Sequence, residues 1–260
     1  MSSTPRFSTA SSLDVVGIGN AIVDVLVQTE DQFLSDHNLS KGSMALVDED
    51  QAKSLYEASG PGLETSGGSA ANTLAGLAQL GSKAGFIGRV RDDQLGTIFI
   101  HDIQSVGTRF ETPAAVSGAS TARCLILVTS DAERTMCTYL GASTQLDPDD
   151  LDLSMVRDTK VLYLEGYLWD SPAAKKAFIT AAEACRESGG QVALSLSDGF
   201  CVDRHRESFL ELVDGHVDVL FANEDEIKSL YGTADFESAL EQVKGRCSVA
   251  VLTRSAQGSV

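Results

Sequence analysis

KVLYLEGYLWDSPAAKKAFITAAEACRESGGQVALSLSD, residues 160–198, decides the fold class. It opens and closes on short Val- and Leu-rich runs, KVLYLEG (160–166) and QVALSLSD (191–198). Continuous apolar runs of this length suit strands buried on both faces of a parallel sheet. Between them, Ser171 and Pro172 form a cap and first-turn pair, and Gly189 and Gly190 provide the stop, so the spacer reads as a helix. VDVLFANE (217–224) and SVAVLTRS (248–255) repeat the strand pattern. DRHRESFLELVDG and DFESALEQVKG repeat the helical one. Strands alternating with helices imply right-handed crossovers and a doubly wound, mostly parallel α/β sheet flanked by helices.

Working back towards the N-terminus, LDVVGIGN (13–20) reads as the first core strand, and helical patterns occupy 69–81 and 93–106. Other segments do not fit a parallel sheet. TARCLILVT (121–129) and ERTMCTYLG (133–141) flank a three-residue linker like the arms of a hairpin. AIVDVLVQ (21–28) and GSMALVD (42–48) can join them. The expected architecture is one α/β domain over 13–260 with a small antiparallel β lid from segments near 21–48 and 107–141. Residues 1–12, rich in Ser and Thr and lacking an apolar core, read as a disordered tail rather than a secretory signal.

Composition narrows the function classes. The formal charge of −17 disfavours nucleic acid and anionic membranes as partners. A phosphorylated ligand would need local arginines or a divalent metal. The five cysteines form no CxxC pair, and neither they nor the four histidines show metal-ligand spacing. Free thiols in a cytoplasmic protein follow from that. No apolar run is long enough to span a bilayer.

Five motifs carry candidate chemistry. In GIGNAIVD, Gly17 and Gly19 end the first strand, then come Asn20 and Asp24. A dinucleotide fingerprint needs a helix at this point, and AIVDVLVQ is strand-like, which argues against a nicotinamide-dependent dehydrogenase. Asp24 lies inside an apolar stretch, where a carboxylate is costly unless it is paired, solvated or facing a polar ligand. In SGGSAANTLAGLAQLG (66–81), Gly67 and Gly68 allow close backbone approach, Ser69 can cap the helix, and Asn72 stands off its apolar stripe. FIGRVRDDQLG (86–96) is mainly structural, with Asp92 or Asp93 as helix cap. In FANEDEIKSLYG (221–232), Asn223 ends a strand at the sheet edge where α/β proteins bind ligands. Asn223 and the acids after it suit either a helix cap or a hydrated Mg²⁺ site. In VLTRSAQGS (251–259), Thr253 ends the last strand and Gly258 permits a turn.

In this order, GNAIVD, GGSAAN, GRVRDDQLG, NEDE and TRSAQG resemble the motifs of the ribokinase-like (PfkB) carbohydrate kinase family over nearly the whole chain. GNAIVD and ERTM look closest to its adenosine-kinase-like branch. The resemblance implies ATP-dependent phosphorylation of a hydroxyl on a sugar or nucleoside, with an adenosine-like ligand favoured. It places Asn20, Asp24, Gly67, Gly68 and Asn72 at the substrate, with Arg134 on the lid and Tyr167 against a base. It places Asn223, Glu226, Thr253 and Gly258 near ATP, with Glu226 reaching Mg²⁺ through water. A homodimer through the lid would also fit. Arg91 and Ser255 stand where the family commonly has glycine. The family's catalytic base lies in a later GAGD segment with no counterpart before Val260. On this reading the chain is a C-terminally truncated fragment without its anion hole and base, inactive alone. The alternatives are a non-catalytic sugar- or nucleoside-binding protein and a hexose or 2-keto-3-deoxygluconate kinase.

Overall fold

The computed structural model describes residues 12–260, so the expected tail falls outside the described residues except for Ser12. Ser12 is exposed and hydrogen-bonds Asp158 through its N–H and hydroxyl.

In chain order the elements begin with β1 (Leu13–Ile18), β2 (Ile22–Gln28), α1 (Asp31–Asp36), β3 (Met44–Leu46), α2 (Glu49–Ala58) and β4 (Leu63–Gly67). There follow α3 (Ser69–Gln79), β5 (Ala84–Ile87), α4 (Gln94–Ser105), β6 (Arg109–Phe110), β7 (Ala122–Val128) and β8 (Arg134–Tyr139). The second half contains α5 (Leu153–Arg157), β9 (Thr159–Glu165), α6 (Pro172–Glu187), β10 (Gln191–Ser195) and α7 (Gly199–His216). It ends with β11 (Val219–Asn223), α8 (Glu224–Tyr231), α9 (Phe236–Val243) and β12 (Val249–Thr253).

Seven strands form one parallel sheet in the order β12-β11-β10-β9-β1-β5-β6. The apolar runs read from the sequence are its strands. Ser171 caps α6 through Ala174, as its position before Pro172 predicts. Chain progress runs outward from β1 in both directions, through β5 to β6 and through β9 to β12. The topological switch therefore lies between β1 and β9, and ligands of open α/β sheets bind beyond the strand ends at such a point. A large core against this sheet contains Trp169, Phe178 and Phe209, all buried, with the Trp169 ring in contact with both phenylalanines.

The lid is a second, five-stranded sheet ordered β3-β8-β7-β2-β4. The expected hairpin is β7 with β8, paired antiparallel. The sheet as a whole is mixed rather than antiparallel, because β2–β7 and β3–β8 are parallel pairs. Two excursions leave the body and return, β2 to β4 and β7 to β8. Their outgoing strands lie side by side, so the central pair is parallel. The segment 107–141 also begins outside the lid, because Arg109 and Phe110 pair with Gly85 and Phe86 in the larger sheet.

Alternation along β2 divides its side chains between two environments. Val23, Val25 and Val27 are buried on the face shared with Phe86, Phe99 and Phe110. Ile22, Asp24 and Leu26 lie on the opposite face, and Ile22 joins a small cluster with Ala122, Cys124, Ile126 and Met136. No helix among the described residues is long and apolar enough to cross a membrane.

Phe99 is fully buried and in ring contact with both Phe86 and Phe110. Phe99→Ala should therefore cost about 3–5 kcal/mol in a denaturant melt. A loss under about 1 kcal/mol would show that this aromatic cluster does not hold lid to body.

Candidate active site

Two groups of polar residues meet the C-terminal edge of the large sheet. The first lies at the switch point, where the lid leaves the body. The buried Glu165 carboxylate ends β9 and accepts the backbone N–H of Asn20 at 2.8 Å. The Asn20 side chain and the backbone N–H of Ala70 at the start of α3 also approach it. A Cβ on Gly19 would overlap this carboxylate, so the glycine is required by the approach. Burial raises the Glu165 pKa to about 7, against the lowering effect of these donors.

Asn20 was expected at the substrate. The structure buries it to 2% exposure, with Oδ1 accepting from the Ser143 hydroxyl at 2.7 Å. In this position it braces the loop and presents no side-chain surface to a ligand. Gly68 has φ of 96°, and a Cβ there would run into the Asn20 carbonyl. Gly68, not Ser69, is the N-cap of α3, and no side chain caps that end. Ser69 is already the first residue inside the helix. Asn72 is exposed in the first turn, with its N–H donating to the Gly68 carbonyl at 2.9 Å.

Asp24 is half-buried on β2, between Thr65 of β4 and Cys124 of β7. Its carboxylate occupies the space a Gly67 side chain would take. No hydrogen bond reaches it from the described residues, and burial alone raises its pKa to about 6. A raised carboxylate pKa favours the fold at low pH. That contribution is fully present below the unfolded-state value and is lost as pH rises through about 6.

Arg134 does not reach this place. It is exposed opposite Val128, four residues along β8 from Thr138, which faces Cys124. Four residues of strand span about 13 Å. The lid arginine near Asp24 in sequence register is Arg123, which pairs with Val23 on β2. It points to the other side, between the rings of Tyr56 and Tyr139 at 5.8 Å from each centroid.

The second group is at β11 and β12, about 14 Å away across three strand spacings from β1. Asn223 and Glu226 form a reciprocal capping box. Glu226 N–H donates to Asn223 Oδ1 at 2.8 Å, Asn223 N–H donates to Glu226 Oε2 at 2.9 Å, and Asn223 Nδ2 donates to Glu226 Oε1 at 2.8 Å. Burial raises the Glu226 pKa, and the charges of Asp198 and Asp225 add to this. Thr253 pairs with Asn223 in register and is exposed. Gly258, at φ of 88°, accepts the Arg254 N–H in the turn that follows. Ser255 adopts φ of 49°, the left-handed conformation that glycine takes without cost. Arg91 sits in an ordinary backbone conformation, with its N–H on Thr121 Oγ1 at 3.0 Å and its guanidinium on the Gly118 carbonyl at 3.1 Å.

Tyr167 lies between the groups and is 43% exposed. Its pKa is raised by burial, then by the charges of Asp198, Glu165 and Glu226, so these carboxylates share one edge. Glu165, Asp198 and Arg254 were not picked out from the sequence. Glu165 had a signal, an acid ending an apolar strand just before a glycine. Arg254 sits over the Phe236 ring at 4.0 Å and donates to Glu224 at 3.2 Å. Among the described residues, no group of three or more His, Cys, Asp or Glu side chains is placed to hold a metal.

With this geometry in hand, comparison with known proteins is specific. The sequence model described as pfkB family carbohydrate kinase matches residues 46–260. A structure titled as a probable sugar kinase protein from Rhizobium etli CFN 42 superposes with a TM-score of 0.86 at 48% identity, covering 96% of this chain and 76% of that one. Adenosine kinase from Sinorhizobium meliloti superposes with a TM-score of 0.86 at 48% identity, covering 96% and 77%. The ATP-dependent ribose-1-phosphate kinase of Halopiger xanaduensis is 31% identical over 188 residues, 70% of this chain and 60% of that protein. The chain spans about half the length of the curated relatives it matches.

The capping box predicts that Asn223→Ala lowers stability by about 0.5–2 kcal/mol in a chemical melt. A change within about 0.3 kcal/mol would mean that the pair does not serve as a cap.

Proposed function

The chain belongs to the pfkB family of carbohydrate kinases, and from that membership we propose that it binds a sugar or nucleoside beneath the lid for ATP-dependent phosphorylation of one of its hydroxyls. The observation that carries the reading is Asp24, a half-buried carboxylate with no hydrogen-bond donor from the described residues, lying in the space that a side chain at Gly67 would fill. Such a group is costly to keep. A hydroxyl donated by a ligand would turn that cost into a charge-assisted hydrogen bond. Gly67, Gly68 and Asn72 would contact the same ligand.

An adenosine-like ligand is favoured. Beside Asp24, the lid face offers Ile22, Leu26, Ile126 and Met136 as an apolar wall suited to a base, and Tyr167 is exposed near the other side. The 48% identity to an adenosine kinase supports the same choice. A hexose, a sugar acid or a sugar phosphate is the alternative, given the named activities of other relatives. Binding without catalysis is a further alternative, since no residue of the chain is assigned as the base.

ATP would lie at the second group, along Asn223, Thr253 and Gly258. Both Glu226 oxygens are already engaged by Asn223, a donor set that fits Mg²⁺ held through water and not by direct ligation. The ion would supply charge neutralisation at the phosphates. The edge strand β3, with Met44 and Leu46 exposed, would be the meeting surface of a lid-mediated homodimer. The free cysteines fit a cytoplasmic protein.

At a hundredfold excess over Kd, adenosine should raise the melting midpoint by about 5–10 °C, with ribose, fructose and 2-keto-3-deoxygluconate weaker. Asp24→Ala should weaken binding by about 10- to 150-fold, the equivalent of one charge-assisted hydrogen bond, and leave the midpoint of the free protein unchanged or higher. Unaltered adenosine binding by the variant would remove Asp24 from the site. Protection by a free sugar and none by adenosine would reverse the order of ligands.

A further inference from the structure

We propose that Lys175, His205 and Asp170 form a proton-operated switch, in which neutral His205 holds Lys175 of α6, and protonation of His205 releases that lysine and turns the contact with Asp170 into an ion pair. Asp170 ends the 3-10 turn Gly166–Asp170. That turn starts directly after Glu165 and carries Tyr167, so the switch bears on one flank of the candidate site.

The geometry fixes which ring nitrogen carries the proton. His205 interrupts the regular course of α7, at φ of −128° and ψ of 24°. Its Nε2 lies 2.7 Å from Asp170 Oδ1, and its Nδ1 lies 3.2 Å from Lys175 Nζ. A lysine ammonium has donors only, so Nδ1 accepts, and Nε2–H donates to Asp170. Asp170 is the ionised partner: burial raises its carboxyl, but the bonds from Arg204 and His205 outweigh this and hold it below its ordinary value. The Lys175 ammonium also donates to the Ser208 hydroxyl at 3.2 Å and lies over the Trp169 ring, 5.4 Å from its centroid.

Protonation at Nδ1 sets two donors and two positive charges 3.2 Å apart, a pair that repels even at the dielectric of water. Lys175 is half-buried on a flexible four-carbon stem, so it swings away from Ser208 and the Trp169 ring. The imidazolium meanwhile gains a charge-assisted hydrogen bond to Asp170. A tie between α6 and α7 is thereby exchanged for a stronger one between α7 and the turn that carries Tyr167. Two other titratable groups stand by the cluster, and neither changes charge near neutrality. Arg204, beside His205 on α7, is bound to Asp170 at 2.7 Å and keeps its charge, and burial pushes the Cys201 thiol up to about 12.

Trp169 is the only tryptophan of the chain and is 2% exposed, so its emission reports the cation beside its ring. A fluorescence titration of the wild-type chain should show one transition between about pH 5 and 8, the range in which histidine changes charge. His205→Gln should abolish it. Lys175→Met should move it to higher pH by about half a unit or more, because the opposing cation is gone. A contact that is only structural would leave the emission flat over this range. Imidazole-nitrogen NMR of the wild type adds a readout that needs no folded His205 variant. At about pH 8, His205, identified by its response to Lys175→Met, should be the Nε2–H tautomer. A flat wild-type emission, a transition that survives in folded His205→Gln or stays in place in Lys175→Met, or an Nδ1–H tautomer would overturn the switch.

Discussion

The hydrogen bond from the Asn20 N–H to the buried Glu165 carboxylate joins three parts of the chain that are far apart in sequence. It fixes the exit of β1 into the lid, the end of β9, and the start of α3 through the neighbouring Ala70. All three meet at the switch point of the sheet. The glycines around it follow from this crowding, because Gly19 must make room for the carboxylate and Gly68 for the Asn20 carbonyl. Once these backbones are held, β2 leaves the body in a set direction, and its alternation puts Asp24 on the face of the lid opposite Val23, Val25 and Val27.

Asp24 and Glu165 illustrate two ways of keeping a carboxylate out of water. Glu165 is almost wholly buried but surrounded by donors from Asn20 and Ala70. Asp24 has more access to solvent and no donor among the described residues, so burial acts on it unopposed. Satisfied buried groups rigidify a fold, whereas unsatisfied ones are retained at a cost that a ligand can offset. The pair thus separates into a satisfied carboxylate that ties backbones together at the switch point and a carboxylate that no donor among the described residues reaches.

The body was legible in the sequence because short Val- and Leu-rich runs such as VLYLE and VALS, bounded by glycine and polar residues, suit buried strands, and the capped spacers between them suit helices. The lid hairpin was legible from the short linker between β7 and β8. The parallel pairing of β2 with β7 was not, since it depends on how two separate excursions are laid side by side. Asp24, Gly67 and Gly68 stood out because a polar or flexible residue interrupted an apolar pattern, and the structure brings them together. Asn20 stood out for the same reason but turns inward, a distinction that only the Ser143 contact reveals. Arg134 was placed by its position in a hairpin, and strand register carries it away from Asp24. For Asn223 and Glu226 the spacing suits a cap and a phosphate site alike, because both use the same groups at a helix start.

The central claim is that Asp24 is held partly desolvated and unpaired until a ligand hydroxyl reaches it. Its ionisation reports this directly. Carboxyl-carbon NMR of the labelled chain, titrated with and without saturating adenosine and assigned with Asp24→Asn, should show the free Asp24 titrating near pH 6, and clearly lower once adenosine is bound. An ordinary carboxylate pKa in the free protein, or a value that adenosine leaves unchanged, would contradict the account.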